Sequence, residues 1–387
     1  MLSIITIFVA ASLAVLWITA LSNFIIFPRL RRVECKAAPD SPLPSVSILI
    51  PARNEGHVIA DTISSLLSQN YPNFELLLLD DNSTDGTSDI ATNAAKGDSR
   101  LKIIKGMPLP RGWGGKNWAC HQLSQKATAD LLLFTDADVK WHPQALNALI
   151  AYQTRSNADL TSVWSTQLTE SWSERLIVPL MALVILGYLP VIMVHFSRLF
   201  FFAAANGQVM LFKREAYQAI GGHEAVRAQV VEDVALARKI KQARRRLRVV
   251  DGNRLIKCRM YQDWCGVRDG FAKNILAGHG DSLPFLAVST IFHWLVFIFP
   301  LVWLLIGWLA PSPEYPLVPL LLYVAGVALR AATAWFTRQR ILPDALLMPL
   351  SALLMTRIAA QSVYWKLRYG GPKWKGRTLP TEVKESL

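Results

Sequence analysis

The stretch Leu131-Leu-Leu-Phe-Thr-Asp-Ala-Asp138 joins a short apolar run to two carboxylates placed two residues apart. The run has no alternating polar residues, a pattern typical of a strand buried on both faces of a sheet. Open α/β sheets bind their ligands beyond the carboxyl ends of such strands. The stretch therefore predicts an α/β sheet with Asp136 and Asp138 at a ligand site.

Two earlier stretches repeat this arrangement of an apolar run followed by polar residues. Val46–Ile50 precedes Pro51-Ala-Arg-Asn-Glu55, and Phe74–Leu79 precedes Asp80-Asp-Asn-Ser-Thr-Asp85. A helical pattern separates the two runs, and repeated strand–helix–strand units predict a Rossmann-like, mostly parallel sheet. Because the carboxyl ends of parallel strands share one edge, we expect the three polar clusters to meet there.

Paired carboxylates at a sheet edge suit a divalent cation. Mg²⁺ or Mn²⁺ takes one or two carboxylates and completes its shell with substrate phosphates and water. Asp136 and Asp138 are predicted to hold such an ion, which would stabilise charge on a departing diphosphate. Taken alone, the pair equally suits a capped turn. No Gly-x-Gly-x-x-Gly follows the first strand, which disfavours a dinucleotide dehydrogenase.

The composition predicts membrane segments. The 387 residues are 52% hydrophobic and 18% charged, which excludes a disordered chain. Residues 1–28 carry no Asp, Glu, Lys or Arg and predict an uncleaved N-terminal transmembrane anchor. Residues 285–310 and 317–337 predict two further spans, joined by a loop without Lys or Arg. Arg330, near the end of the third span, is expected to snorkel to the headgroups.

The remaining segments complete the predicted domain organisation. Residues 29–44 are interpreted as a basic linker with several prolines, and residues 45–281 as the catalytic domain. Residues 366–387 are interpreted as a basic cytoplasmic tail. The basic residues on the inner side of the spans predict an integral protein of the cell or inner membrane, with the catalytic domain in the cytoplasm.

Two apolar segments are predicted to lie at the membrane surface. Residues 176–197 contain two prolines and separate Asp138 from Asp233, which must share one side of the membrane to act together. We therefore expect an interfacial or hairpin insert there, with a hydrophobic core helix as the alternative. Residues 341–365 include an apolar stretch too short for a straight span and predict an interfacial or re-entrant helix.

The net charge of +13 indicates an anionic partner. The excess lies in three basic runs, residues 29–36, 238–259 and 366–377. Two of them flank apolar segments, which favours anionic membrane lipids as the partner. For residues 238–248 a solvated helix face is the alternative. No pattern of a nucleic-acid-binding module is present, so no nucleic acid is predicted as a partner.

Four motifs together resemble a family 2 glycosyltransferase of the GT-A fold. The resemblance covers roughly residues 45–280 and is carried by Pro51-Ala-Arg-Asn-Glu55, Asp80-Asp-Asn-Ser-Thr-Asp85, Thr135-Asp-Ala-Asp138 and Val231-Glu-Asp233. Three further segments resemble the lipid-modifying branch, which includes carotenoid (hydroxychlorobactene-type), hopanoid-associated and ceramide glucosyltransferases. These are Gly112-Trp-Gly-Gly-Lys-Asn-Trp-Ala119, Tyr364-Trp-Lys366 and Trp374-Lys-Gly-Arg377.

The resemblance implies a role for each acidic residue. Asp80 or Asp81 would contact the base of the donor nucleotide, and Asp136 and Asp138 would serve the ribose and the metal. Asp233 would be the general base. Chemistry independently supports a base, because an acceptor hydroxyl needs a carboxylate to take its proton. A simple N-terminal helix cap is the alternative for Asp233.

Other positions are assigned to the donor nucleotide sugar. Lys116 would neutralise diphosphate charge, with an ordinary surface lysine as the alternative. Gly207 would let the backbone approach the donor sugar, with a packing glycine as the alternative. The nucleotide-sugar-binding candidates are Pro51, Arg53, Asn54, Glu55, Asp80, Asp81, Lys116, Asp136 and Gly207.

The acceptor side is predicted from two residues. Glu232, next to the base, and Trp264 are the acceptor-binding candidates, although a core tryptophan is the alternative for Trp264. Polymer-making relatives carry Gln-x-x-Arg-Trp here, whereas Asp263 stands where their arginine would be. This departure weighs against processive synthesis.

The sequence therefore predicts an inverting, metal-dependent glycosyltransferase. It would move one sugar from a nucleotide-diphosphate donor, by resemblance UDP-glucose, to a hydroxyl of a membrane lipid such as a carotenoid or hopanoid-type acceptor. The alternatives are a processive polysaccharide synthase and a non-catalytic membrane scaffold that binds nucleotides or lipid headgroups.

Overall fold

A computed structural model describes residues 2–32, 43–310 and 312–379. The chain forms two compact units, each built from separated stretches of sequence. The sheet unit comprises Phe27–Thr166, Ile192–Met260 and Lys375–Leu387, and the helical unit comprises Met1–Ile26, Gln167–Val191 and Tyr261–Trp374. The predicted linear division of the chain remains a prediction, and residues 33–42 of its linker and 380–387 of its tail lie outside the described residues.

Strand order explains how one edge of the sheet collects polar residues. The main sheet has seven strands in the order β3-β2-β1-β4-β8-β6-β9, and only β8 runs antiparallel to both of its neighbours. The strands are β1 Val46–Ala52, β2 Phe74–Asp80, β3 Leu101–Lys105, β4 Leu131–Thr135, β5 Val139–Trp141, β6 Leu160–Trp164, β7 Thr166–Gln167, β8 Val209–Lys213, β9 Leu247–Asp251, β10 Ile256–Cys258, β11 Lys373–Trp374 and β12 Arg377–Thr378.

The central strands are buried on both faces, as their mainly apolar sequence without regular polar alternation predicts. Residues 46–50 of β1 and 131–135 of β4 are all buried. In the parallel register Ala52 lies opposite Asp80, so β1 and β2 end side by side. The polar residues that follow β1, β2 and β4 therefore leave the sheet at the same edge.

Helices cover the sheet and build the second unit. Two π-helical turns, Val184–Tyr188 and Trp294–Ile298, interrupt the longer helical stretches. The α-helices are α1 Leu2–Ile26, α2 Ile59–Leu67, α3 Thr87–Ala95, α4 Gly115–Lys126, α5 Ala145–Ser156, α6 Trp172–Ile177, α7 Pro179–Leu183, α8 Val191–Phe196, α9 Arg214–Ala219, α10 Glu232–Gln242, α11 Trp264–Gly278, α12 Leu283–His293, α13 Phe299–Ile306, α14 Leu317–Phe336 and α15 Met348–Tyr369.

The helical unit contains long apolar helices. Within the described part of the chain three helices are long and apolar enough to cross a membrane, namely Ser3–Ile26, Leu283–Leu309 and Leu317–Phe336. Their inward faces share one apolar core, which includes Leu13, Leu16, Leu180, Val296, Leu322 and Leu329. These helices match the predicted apolar helices at both ends of the chain.

The segment around residues 176–191 packs into the same core through a buried amide. Asn23 of α1 is fully buried. Its Nδ2 donates to the carbonyls of Leu186 and Leu189, both at 2.8 Å, and its Oδ1 accepts the Val191 N–H at 2.9 Å. The break in helix before Pro190 frees these backbone groups, and Asn23 satisfies them in an apolar setting.

The expectation that Arg330 would snorkel to the headgroups is wrong. Arg330 is only 2% exposed. Its Nη2 donates to the carbonyls of Arg175 at 3.1 Å and Leu176 at 3.3 Å, and its Nη1 donates to Ser351 Oγ. Carbonyls in the last turn of a helix lack intrahelical partners, so α6 offers this cation a local set of acceptors.

Candidate active site

The loops after β1 and β2 bind each other through side chains. Asn54 adopts a left-handed conformation, with φ 52°, and its Oδ1 accepts the Thr84 N–H at 2.9 Å. Both carboxylate oxygens of Asp80 bind within its own turn, accepting the Ser83 N–H at 2.8 Å and the Ser88 hydroxyl. The Asp81 carboxylate has one long contact within this turn, from Asn82 Nδ2 at 3.5 Å, and is the better placed of the two aspartates for a nucleotide base.

The two carboxylates after β4 lie beside the antiparallel strand β8. The Asp136 N–H donates to the Gln208 carbonyl at 3.1 Å, and the Ala137 carbonyl accepts the Thr62 hydroxyl at 2.7 Å. Desolvation and the negative charges of Asp136 and Glu55 raise the pKa of Asp138 to about 7. Burial and the neighbouring carboxylates therefore disfavour the ionised form of Asp138 at this edge of the sheet.

A divalent cation fits this pair. The buried Oδ1 of Asp138 has no hydrogen-bond partner among the residues that the structure describes. No group of three or more His, Cys, Asp and Glu side chains in those residues is arranged to hold a metal by itself. A metal in a nucleotide-sugar site needs only one or two carboxylates, because the diphosphate and water supply the other ligands. Asp136 and Asp138 meet that requirement.

Lys116, at the start of α4, contacts one member of the predicted metal pair and Glu232, the neighbour of the predicted base. Its Nζ lies 2.8 Å from Asp136 Oδ1, 2.9 Å from Glu232 Oε1 and 3.5 Å from the Gly207 carbonyl. Desolvation opposes its charge, but Asp136 and Glu232 outweigh that effect and hold the pKa of Lys116 well above its usual range. Lys116 is thus a fixed cation within the site.

Asp233 lies in the first turn of α10, and two backbone groups orient it. Its Oδ2 accepts the Gly207 N–H and its Oδ1 accepts the Val234 N–H, both at 2.8 Å. Desolvation and the adjacent Glu232 raise its pKa to about 6, although Lys116 opposes them. A side chain at Gly207 would lie 3.3 Å from both Lys116 Nζ and Asp233 Oδ2, so glycine keeps this approach open.

The motif at residues 112–119 fixes the loop before the base. The Asn117 side chain is 2% exposed, and its Nδ2 donates to the carbonyls of Val226, Arg227 and Gln229 at 2.9–3.1 Å. The Gly114 N–H donates to the same Arg227 carbonyl at 2.7 Å. The motif marked this segment in the sequence, but its contact with the loop at 226–229 was not predicted.

Two residues from the other end of the chain also reach the site. Arg377 pairs with Asp81 through both carboxylate oxygens, with Nη1–Oδ2 at 2.5 Å and Nη2–Oδ1 at 3.2 Å. Lys375 pairs with Glu55, and its Nζ donates to the Arg53 carbonyl at 2.8 Å. The sequence pattern predicted both cations to be part of a basic tail. The motif Trp374-Lys-Gly-Arg377 was the signal for a more specific role.

Trp264 belongs to the helical unit and is the first residue of α11. It stacks on Trp172, with ring centroids 5.7 Å apart. Asp263, which replaces the arginine of polymer-making relatives, caps α11 by accepting the Gly266 N–H at 2.7 Å. An aspartate at position 263 thus has a local structural role as a helix cap. The acceptor role of Trp264 remains a prediction.

The class of this protein follows from comparison with known proteins. Residues 47–212 match the model of Glycosyl transferase family 2. The chain therefore carries a family 2 glycosyltransferase domain and is a glycosyltransferase. The family resemblance predicted from the sequence is confirmed.

Curated relatives cover most of the chain. The 4,4'-diaponeurosporenoate glycosyltransferase of Staphylococcus aureus strain USA300 is 26% identical over 343 residues, which are 86% of this chain and 88% of the relative. The enzyme of the same name from strain MRSA252 is 28% identical over 344 residues, with the same shares.

A solved structure shares the fold. A mannosyltransferase from Pyrobaculum calidifontis, in complex with GDP-Man and Mn²⁺, superposes with a TM-score of 0.59 at 18% identity, covering 95% of this chain and 100% of that chain. The predicted α/β GT-A fold with apolar helices at the N-terminus and in the C-terminal region is confirmed. The sheet itself is mixed, because β8 inserts antiparallel between β4 and β6.

Proposed function

We propose that this glycosyltransferase transfers a single sugar, with inversion, from a nucleotide-diphosphate sugar to a membrane lipid. One observation carries the proposal. The Asp233 carboxylate, held by two backbone N–H groups, lies beside the Lys116–Asp136 ion pair at the carboxyl edge of the sheet. A base next to a site for diphosphate and metal is the arrangement that transfer from an activated sugar requires.

The donor side rests on Asp81, Asp136 and Asp138. We expect UDP-glucose as the donor because of the resemblance to the lipid-modifying branch. The structurally similar mannosyltransferase is described with GDP-Man and Mn²⁺, which supports a nucleotide sugar and a divalent metal as a class. Mg²⁺ or Mn²⁺ held by Asp136 and Asp138 would act as a Lewis acid toward the diphosphate oxygens.

The protein side chains perform the proton transfer. The acceptor oxygen attacks the anomeric carbon on the face opposite the diphosphate, and the bond from that carbon to the diphosphate oxygen breaks. The acceptor proton passes to Asp233, whose pKa of about 6 leaves it mostly ionised at neutral pH. The Gly207 and Val234 N–H groups hold the carboxylate in place during this transfer.

A lipid acceptor agrees with the helical unit. Three helices in the described ranges are long and apolar enough to span a bilayer. The relatives are named for a carotenoid-type compound, 4,4'-diaponeurosporenoate. Arg29, Arg31 and Arg32 follow the first span, and Arg338 and Arg340 follow the third. By the positive-inside tendency these cations favour a catalytic domain on the cytoplasmic face.

The test uses purified full-length protein with UDP-glucose, Mn²⁺ and a hydroxylated carotenoid in lipid. Asp233→Asn is expected to lower kcat by about 10²- to 10⁴-fold. Asp138→Ala, or EDTA, is expected to abolish metal-dependent turnover. Asp89→Asn is the matched control, since Asp89 is an exposed aspartate in the first turn of α3. Unchanged activity in Asp233→Asn would contradict the assignment of the base.

A second acceptor chemistry follows from the name of the relatives, since 4,4'-diaponeurosporenoate is a carboxylate. A carboxylate is already ionised at neutral pH and gives up no proton on attack. With a carotenoid acid as acceptor, Asp233→Asn should therefore retain far more activity than with a hydroxylated carotenoid. Comparing the two acceptors in the same variant distinguishes formation of a glycosyl ester from formation of a glycoside.

A further inference from the structure

The short segment Lys375-Gly-Arg377, called the chain end below, brings two cations to carboxylates of the sheet unit. Lys375 and Arg377 belong to that unit, together with the loops after β1 and β2. The contacts join residues 320 and 296 positions apart, Lys375 with Glu55 and Arg377 with Asp81. Both carboxylates belong to the motifs that predict the donor site, so the chain end is part of this edge of the sheet.

The Arg377–Asp81 pair has the geometry of a fixed structural contact. The Asp81 side chain is 8% exposed and the Arg377 side chain 24% exposed. The contact is bidentate. Arg53 Nη1 donates to the backbone carbonyl of Asp81 at 2.6 Å and lies 3.9 Å from its Oδ2, so Arg53 is a second, more distant cation beside this carboxylate. Because a buried carboxylate without its cation is costly, the orientation of Asp81 depends on Arg377.

The lack of a side chain at Gly115 leaves room for the Arg377 guanidinium beside Asp81. A Cβ built on Gly115 would lie 2.7 Å from Arg377 Nη1, so a side chain at Gly115 would collide with the guanidinium. Gly115 directly precedes Lys116, the cation that contacts Asp136 and Glu232. One short segment of α4 thus contacts both the chain end and the catalytic cluster.

The turn at the chain end directs both side chains to the same place. Lys375 and Gly376 have φ values of 44° and 77°. The left-handed conformation is unfavourable for lysine and persists where the surroundings enforce it. The ion pair with Glu55 and the bond to the Arg53 carbonyl are the contacts that hold Lys375 there.

We propose that Arg377 and Lys375 are positioning residues of the donor site, so that the end of the chain is required for nucleotide binding. Arg377 fixes the orientation of the Asp81 carboxylate, which could then accept an N–H group of the nucleotide base, and Lys375 fixes Glu55. A bidentate arginine leaves lone pairs free on both carboxylate oxygens. The inference rests on the proposed function, which makes Asp81 a donor-site residue.

The competing role for these cations is attraction to anionic lipids, as for the rest of the basic tail. That role depends on charge alone and predicts equal effects for any basic residue of the tail. Arg368 supplies the comparison, because it is exposed and lies in the same basic run. A donor-site role predicts an effect for Arg377 and none for Arg368.

The experiment measures binding of UDP and of GDP, each with Mn²⁺, and donor KM and kcat, with full-length enzyme in vesicles. Arg377→Ala is expected to weaken UDP binding by about 10-fold or more and to raise donor KM while kcat changes about 3-fold or less. Arg377→Lys keeps the charge but loses the bidentate fork, and should recover only part of the affinity. Lys375→Met should give a smaller loss, and Arg368→Ala should remain within about 2-fold.

Combining Arg377→Ala with Asp81→Asn tests whether Arg377 affects nucleotide binding through Asp81. If Arg377 acts through Asp81, the double variant should be no worse than Asp81→Asn alone. Equal losses in Arg377→Ala and Arg368→Ala, or full affinity in both Arg377 variants, would overturn the inference and leave the proposed function intact. If the unmodified enzyme binds neither nucleotide and transfers no sugar, the proposed function fails and this inference fails with it.

Discussion

The carboxyl group of Asp233 controls the pH dependence that we expect for transfer to a hydroxyl. Desolvation and Glu232 raise its pKa to about 6, so the proton-accepting form is lost as the pH falls below that value. With a hydroxylated acceptor, kcat should rise about 10-fold per pH unit below 6 and level off above it. A pH–rate profile from pH 5 to 8 checks this, and a flat profile would contradict the base role.

The stability of Asp233→Asn separates a chemical effect from misfolding. A carboxylate whose pKa is raised on folding, here from 3.8 to about 6, lowers the stability as the pH rises between these two values and lowers it by a constant amount above about 6, because the native state must then hold a poorly solvated charge. The amide carries no such charge, but it has one acceptor oxygen for the two N–H groups of Gly207 and Val234, so one of these hydrogen bonds is lost. Because the two effects oppose each other, the variant should have a Tm at pH 8 close to that of the unmodified enzyme, despite its lost activity.

At the scale of elements, the start of α4 positions the loop that leads to α10. Asn117 Nδ2 donates to three loop carbonyls, and those of Val226 and Arg227 also accept backbone N–H groups. Asn117→Ala should cost about 0.5–1.5 kcal/mol of unfolding free energy and lower kcat, because Asp233 follows this loop. Thermal unfolding and kinetics of the variant measure both effects.

Gln125→Ala is the matched control for that element, since Gln125 is an exposed amide on the same helix. It should leave both Tm and kcat close to the unmodified values. A stable Asn117→Ala enzyme with full activity would show that the loop keeps its position without α4.

Across the whole molecule, local patterns in the sequence predicted the features that depend on short segments alone, namely individual strands and apolar helices. Mainly apolar runs without regular polar alternation identified β1, β2 and β4, and the polar residues after them lie at one sheet edge because the strands are adjacent and parallel. Apolar stretches almost free of charged residues identified the long apolar helices, the third of which contains Arg330. The contacts of Asn117 and Arg377 were not predicted, because they join segments about 110 and 296 residues apart, and no local pattern specifies such partners.

Local patterns likewise did not predict which stretches of the chain make up each of the two units. The sheet unit takes three separate stretches of the chain, and residues 167–191 and 261–281 belong to the helical unit. Hydropathy indicated where apolar segments begin and end, but it does not state which other segments they pack against. The amide of Asn23 illustrates this, since one polar residue in a charge-free helix satisfies the backbone around Pro190.

The orientation in the membrane is the last prediction. The basic residues after the first and third spans are expected to lie in the cytoplasm, which would put the loop around Glu314 on the outer side and Arg338 on the inner side. In intact cells a membrane-impermeant maleimide should therefore label Glu314→Cys and leave Arg338→Cys unlabelled, whereas lysed cells should allow both to react. The unmodified chain is its own control, because exposed Cys265 should react only after lysis. Labelling of Arg338→Cys in intact cells would reverse the proposed topology and remove the donor site from the cytoplasmic supply of nucleotide sugars.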